Sequence, residues 1–296
     1  MVSGRSRVTN LAKEPADPRR LAQEIVQAAR ARGGLLLFAD HEGTLSSSVP
    51  DRSAAPLSLL ARGALVALAA TPSTRVVIVS GHDACDLEAQ LNVPGVIYAG
   101  CRGLQIRGAG ITFCHPVALG MRGMLPLLAQ KLSDCLAPLS GVEVEIKELG
   151  VTVHVRRVDP SPLAAIVAQA EQLRRTCAAE FRVWRSEAAV DLFPDVGCPL
   201  SFSARWIREQ SACGGQGQPT VVYLGDDDAE EDAHLAISEH GYAVHVGQRT
   251  GMSAASYWVV DRSAAIDLLA QIAFAWSLHG TRKTEGESGA RGAKLD

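Results

Sequence analysis

The chain has 296 residues, of which 47% are hydrophobic, and a formal net charge of −3. That much apolar material supplies one large core or two moderate ones and excludes global disorder, and the lack of a strong basic excess excludes a nucleic-acid-binding profile. The seven cysteines are odd in number, scattered and without a CxxC pair, which points away from a zinc site or disulfide framework and toward reduced thiols.

Residues 1–20 are polar and basic, without the apolar stretch of a signal peptide, and no apolar run approaches the roughly 20 residues of a membrane span. A cytoplasmic monomer with no membrane or nucleic-acid partner is expected, mobile at residues 1–20 and in the Gly-rich, charged tail 280–296. The spacing of Leu21, Ile25, Val26 and Ala29 predicts a helix over Pro18–Ala31. Leu35–Ala39 is a continuous apolar run meeting Asp40, as in a strand covered on both faces. Leu57–Ala70 reads as a helix, Arg75–Val79 as a second buried strand ending at Ser80-Gly81, Asp83–Leu91 as a helix and Gly95–Ala99 as a third strand. From Val142 to Arg156 the pattern changes to the alternation of an antiparallel sheet. Ser161–Ala179 then reads as a long helix and Phe181–Phe193 as a hairpin or strand pair.

The open pattern then returns. Leu200–Gln210 reads as a helix, Val221–Leu224 as a strand ending at Gly225-Asp226-Asp227, Glu231–His240 as a helix, Tyr242–Val246 as a strand and Ala264–Ser277 as a helix. The expected fold class is α/β, with a Rossmann-like parallel-sheet core over residues 21–110 and 194–279 and a smaller α+β cap inserted at 111–193. In such sheets ligands bind beyond the carboxyl ends of the strands. Asp40, Ser80 and Asp226-Asp227 all fall at such ends.

A carboxylate directly after a buried strand can act as a nucleophile, and Asp40 is followed by the turn sequence His41-Glu42-Gly43-Thr44. Gly43 permits a tight turn whose amides could meet phosphate oxygens. The alternative for Asp40 is a turn cap. Six acidic residues fall within the seven positions Asp226–Asp232, a hard-oxygen set suited to Mg²⁺. An acidic helix start accounts for Glu231 and Asp232 but less well for Asp226, which follows an apolar strand. Ser80-Gly81 offers a hydroxyl at a strand end, although Ser-Gly turns are common.

FADHEGTL, VVIVSGH and YLGDDDAEED, in this order, resemble motifs one, two and four of haloacid dehalogenase-type phosphatases, and most closely the trehalose-6-phosphate phosphatases. IYAGCRGLQIR, VEIKELGVTVHVR and GYAVHVG extend the resemblance, which runs from about Leu35 to Ala275. It implies a haloacid dehalogenase-type core and hydrolysis of a sugar phosphate, trehalose 6-phosphate above all, through an aspartyl-phosphate. Asp40 would be the nucleophile and Glu42 the acid–base residue. Ser80 and Gly81 would bind phosphate. Asp40, Glu42 through its carbonyl, Asp226, and Asp227 or Glu230 would hold Mg²⁺. Lys147, His154 and Arg156 would reach the sugar from the cap; for His154 and Arg156 a cross-strand surface pair is the alternative.

The chain departs from the family pattern at named positions. Glu42 stands where the family has Asp, and Leu200 falls where the third motif has Lys. Arg102, Gln105, Ser186-Glu187 and Asp191 replace further family residues. Arg205 or Arg208 could supply the missing cation only if their helix were rotated or shifted. Two functions therefore stand: a Mg²⁺-dependent sugar-phosphate phosphatase of reduced activity, and a degenerate relative that binds a sugar phosphate or regulates. Sucrose-phosphate or mannosyl-phosphoglycerate hydrolysis is a further substrate alternative.

Overall fold

In the computed structural model the described residues are 9–10, 14–47, 56–158, 162–186, 189–197, 199–210, 218–226, 231–238, 241–248 and 252–289. β1 (Thr9–Asn10) is a two-residue strand pairing antiparallel with residues 252–253. Asp17 then caps α1 (Pro18–Arg32): its side chain accepts from the Arg20 N–H at 2.8 Å, with proline in the first turn. Ala16 N–H also donates to the Trp258 carbonyl at 2.8 Å, so residues 16–20, expected to be mobile, are bonded into the fold.

Gly33 takes the left-handed conformation that ends the helix, and β2 (Leu35–Asp40) follows. α2 (Leu59–Ala70), β3 (Thr74–Val79), α3 (Ala84–Leu91) and β4 (Ile97–Gly100) continue the alternation. A 3-10 turn at Cys101–Gly103 leads into the hairpin β5 (Gln105–Gly108) and β6 (Ile111–Cys114). The segment expected to open the cap at residue 111 therefore lies in the larger sheet, because Ile111–Cys114 pairs with β5 across the tight turn at Ala109-Gly110.

After Cys114 the chain leaves that sheet. It forms α4 (Pro116–Gly120), α5 (Leu125–Leu136), β7 (Glu143–Ile146), β8 (Val151–His154), α6 (Leu163–Cys177), β9 (Phe181–Arg185) and β10 (Ala189–Pro194). It returns through α7 (Pro199–Gln210), β11 (Thr220–Gly225), α8 (Glu231–Ser238), β12 (Tyr242–Val246), β13 (Met252–Ser253), β14 (Tyr257–Val259) and α9 (Arg262–Gly289). α9 continues twelve residues past Ser277, into the segment expected to be a mobile tail. No proline interrupts residues 278–289, so the backbone ladder can continue.

The larger sheet has the order β14-β12-β11-β2-β3-β4-β5-β6; the first six are parallel and the last two antiparallel. Period-two alternation sends Leu35, Leu37 and Ala39 to one face, with α1, α2 and α9, and Leu36 and Phe38 to the other, with α7 and α8. Both faces are covered, which is why the strands read as unbroken apolar runs. The cap is a four-stranded antiparallel sheet, β7-β8-β10-β9, with α5 and α6 packed on one face around Leu132, Val151, Ile166 and Leu192. Core and cap meet in a small apolar cluster of Cys101, Leu104, Ala118, Leu149, Trp184 and Phe193. Among the described residues no helix is long and apolar enough to cross a membrane.

Candidate active site

β2 ends at Asp40, level with Val79 of β3, so Ser80 begins one residue beyond the register position of Asp40. On the other side Leu224 is level with Ala39, which brings Asp226 past the same sheet edge. The three candidate segments thus leave adjacent strands at one end of the sheet. The turn after Asp40 is closed by the His41 carbonyl, which accepts from Leu45 and Ser46 N–H at 3.0 and 2.8 Å, and by Gly43 N–H donating to Ser46 O at 2.8 Å.

Gly43 has φ +94°, and a Cβ there would lie 2.0 Å from Asp226 Oδ2. Only glycine allows the Asp226 carboxylate this close to the turn after Asp40. Thr44 Oγ1, fully buried, donates to Asp226 Oδ1 at 3.2 Å. The Asp40 turn and the Asp226 carboxylate therefore form one packed unit. This oxygen-rich cradle fits a hard divalent cation. Asp227 and Glu230 lie outside the described residues. Glu231 does not enter the cradle: it accepts from Ser253 Oγ at 2.6 Å and Ala254 N–H at 2.7 Å. Asp232 pairs with Arg182 of the cap at 2.7 Å.

Ser80 is 5% exposed. Its Oγ lies 2.9 Å from His82 Nδ1 and accepts from His82 N–H at 3.1 Å. A Cβ on Gly81 would touch Asp191 Oδ2 at 3.5 Å, so a cap carboxylate sits over this turn. Asp191, 4% exposed, accepts from Thr152 Oγ1 at 2.7 Å and from Arg102 Nε and Nη2 at 3.2 and 3.0 Å. Arg102 reaches it from a backbone in the left-handed region, φ 56°, next to Cys101 at φ 47°.

The cap residues divide. Lys147, 4% exposed, pairs with Glu145 at 2.9 Å, and His154 Nε2 lies 3.0 Å from the same carboxylate oxygen. Arg156 instead leaves the cap and donates from Nη2 to Glu42 Oε2. It is thus no cross-strand surface pair. Burial pushes the Glu42 carboxyl above its usual range, against the opposing pull of Arg156, Lys147 and His154.

Leu200 packs against the apolar cluster of Leu36, Phe38 and Tyr223 and brings no charge. Arg205 is exposed and lies over the Phe202 ring at 5.7 Å, so α7 does not turn it toward Asp40; the Arg208 side chain lies outside the described residues. Sequence reading missed His41 and His82. Both stand within the motifs it quoted, but their side chains meet only across β2 and β3, a proximity that no local pattern reports.

The trehalose-phosphatase family profile matches residues 38–261. The trehalose-phosphate phosphatase of Mycobacterium avium is 34% identical over 204 residues, 68% of this chain and 51% of that protein. That of Mycobacterium tuberculosis H37Rv is 32% identical over 239 residues, 77% of this chain and 59% of that protein. The chain thus spans about half to three-fifths of the length of these curated relatives. The trehalose-6-phosphate phosphatase C-terminal domain of Candida albicans superposes with a TM-score of 0.75 at 20% identity, covering 88% of this chain and 99% of that one. A protein described as related to trehalose-6-phosphate phosphatase superposes with a TM-score of 0.65 at 16% identity, covering 84% and 99%. With Asp40, Ser80 and Asp226 gathered at one sheet edge under an inserted cap, and with more than half of the sequence matching one profile, this chain belongs to the trehalose-phosphatase family.

Proposed function

We propose that the protein is a Mg²⁺-dependent phosphatase of a sugar phosphate, most favourably trehalose 6-phosphate, working through an aspartyl-phosphate. The supporting observation is the convergence of Asp40, Ser80 and Asp226 at adjacent strand ends, with Gly43 pressed against the Asp226 carboxylate. Asp40 Oδ attacks phosphorus, forming the acyl phosphate as the phosphorus–oxygen bond to the sugar breaks. Glu42 donates its proton to the leaving sugar oxygen, a role that its burial-raised pKa suits. In the second half Glu42 takes a proton from water, which attacks phosphorus and regenerates the Asp40 carboxylate. Ser80 Oγ donates to a phosphoryl oxygen. Asp40, the Glu42 carbonyl and Asp226, with Asp227 or Glu230, would hold Mg²⁺, which when bound offsets the charge of the phosphate and carboxylates.

Arg156 takes over part of the electrostatic work of the missing motif-three lysine. It brings a fixed cation to Glu42, two residues from the nucleophile. The cap therefore completes the charge balance of the core. Lys147, close enough to act on the Glu42 and His82 charges, and Asp191, over the Ser80-Gly81 turn, favour a polyhydroxylated leaving group.

Phosphate release over a panel of sugar phosphates, with and without Mg²⁺, tests the reading. Trehalose 6-phosphate should be the best substrate, and Asp40→Asn should abolish release. Activity that survives Asp40→Asn rejects the nucleophile. Leu200, seated in an apolar cluster, favours a second reading in which the protein binds a sugar phosphate without turning it over. Ligand-dependent thermal stabilisation with no phosphate release across the panel would select that one.

A further inference from the structure

We propose that His41, Glu42 and His82 form a second cation site, beside the oxygen cradle of Asp40 and Asp226, that takes a borderline divalent ion such as Zn²⁺. The ligand atoms of these three residues all lie within 4.8 Å of one another. Donors on one tetrahedral zinc are about 3.3 Å apart, so side-chain shifts of about an ångström close the set. The two rings already meet edge to face, with centroids 6.4 Å apart and planes at 68°. Two imidazoles and one carboxylate are a zinc-type donor set, whereas Mg²⁺ takes oxygens. The cysteine spacing carried no sign of this site because its donors are two histidines and a glutamate.

Two of the three donors are prepared. Ser80 Oγ holds His82 Nδ1 at 2.9 Å, fixing the ring in the way an outer-shell partner orients a metal-bound histidine and leaving Nε2 to coordinate. Burial, with Lys147 and His41 nearby, draws the His82 pKa down to about 3, so its ring is neutral at physiological pH. Glu42 gives Oε2 to Arg156, while its Oε1 is buried with no hydrogen-bond partner among the described residues. The cations Arg156 and Lys147 oppose a further positive charge, and Glu42 and Glu145, their respective partners, offset them. A water would supply the fourth ligand, as in zinc sites with three protein ligands.

Binding here engages the Glu42 carboxylate, so on the phosphatase reading above Zn²⁺ inhibits while Mg²⁺ activates. The binding itself does not rest on that reading.

The test uses the full chain in excess Mg²⁺, titrated with Co²⁺ as a visible-absorption probe and then with Zn²⁺ as competitor. One equivalent of Co²⁺ should give four-coordinate bands that Zn²⁺ erases. His82→Gln should weaken binding by more than the roughly 10- to 100-fold of a lost outer-shell partner, and Asp226→Asn should keep it. Circular dichroism checks each variant's fold, and Glu42→Gln replaces His82→Gln if the latter does not fold. Absent bands, bands that survive loss of His82 or Glu42, or bands lost with Asp226→Asn overturn the proposal. A parallel assay asks whether Zn²⁺ lowers phosphate release in the wild type and less in His82→Gln. A wild-type protein with no release at all defeats the phosphatase reading and leaves the cobalt result standing, whereas release that Zn²⁺ does not lower overturns the inhibition.

Discussion

Arg156 on the cap donates from Nη2 to Glu42 Oε2 on the core turn, 114 residues away in sequence. Both side chains are largely buried, so the pair is worth more than an exposed ion pair, and losing one partner strands the other. Arg156→Met is expected to lower phosphate release by about 100- to 1,000-fold, the scale of a lost electrostatic contact at a reacting centre. Arg156→Lys should restore part of it. Steady-state kinetics on both variants decide this: if Met matches wild type, the cap contributes no catalytic charge.

Gly43→Ala tests the packing of the turn after Asp40. The added Cβ would sit 2.0 Å from Asp226 Oδ2, in a backbone with φ +94°. Strain of about 1 kcal/mol from φ alone, plus displacement of the carboxylate, should weaken Mg²⁺ activation and cost at least about 100-fold in rate. Isothermal titration with Mg²⁺ and an activity assay read the two effects; unchanged affinity and rate would show that Asp226 does not need this approach.

Asp191→Asn removes a charge that holds both Arg102 and Thr152. Leaving Arg102 without its carboxylate in a largely buried position should destabilise the protein by about 3 kcal/mol, the low end for a broken buried pair. Chemical denaturation measures it. A substrate-concentration series should show KM rising more than kcat falls, because Asp191 lies over the Ser80-Gly81 turn that is proposed to bind phosphate.

The Glu231 carboxyl supplies a pH signature. Burial alone would raise its pKa, but the neighbouring His234 ring, Ala254 N–H and Ser253 Oγ outweigh it and draw it down to about 2. A carboxylate depressed in the folded state adds stability that is fully present above about pH 4.5 and lost as pH falls toward 2. Glu231→Gln should flatten this part of the stability–pH curve. Thermal melts from pH 6 to 2.5 give the comparison; parallel wild-type and variant curves would remove Glu231 from the account.

Much of the core was legible because Leu35–Ala39, Val76–Val79 and Val221–Leu224 are apolar runs bounded by turn residues, which a sheet covered on both faces requires. The hairpin β5–β6 was not, since Gln105 and Arg107 interrupt the apolar signal and its strands gain their place only by pairing with β4. At the site, the strand-end positions of Asp40, Ser80 and Asp226 followed from chain order alone. The partner of Arg156 did not, because it is set by how the cap sheet lies on the core. The neutral Leu200 was visible in sequence, but that Arg156 pairs with Glu42 in the turn after Asp40 was a matter of tertiary placement.

The seam between the two sheets joins unlike materials. Arg156, Arg102 and Arg182 fasten it with charge, and Trp184, Phe193, Leu104 and Leu149 form its oily joint. Added electrolyte slackens the most exposed fastener, Arg182 to Asp232, while cooling slackens the joint. Whatever molecule the protein admits, its doorway should swing more readily in brine and in the cold, and less readily in concentrated sucrose.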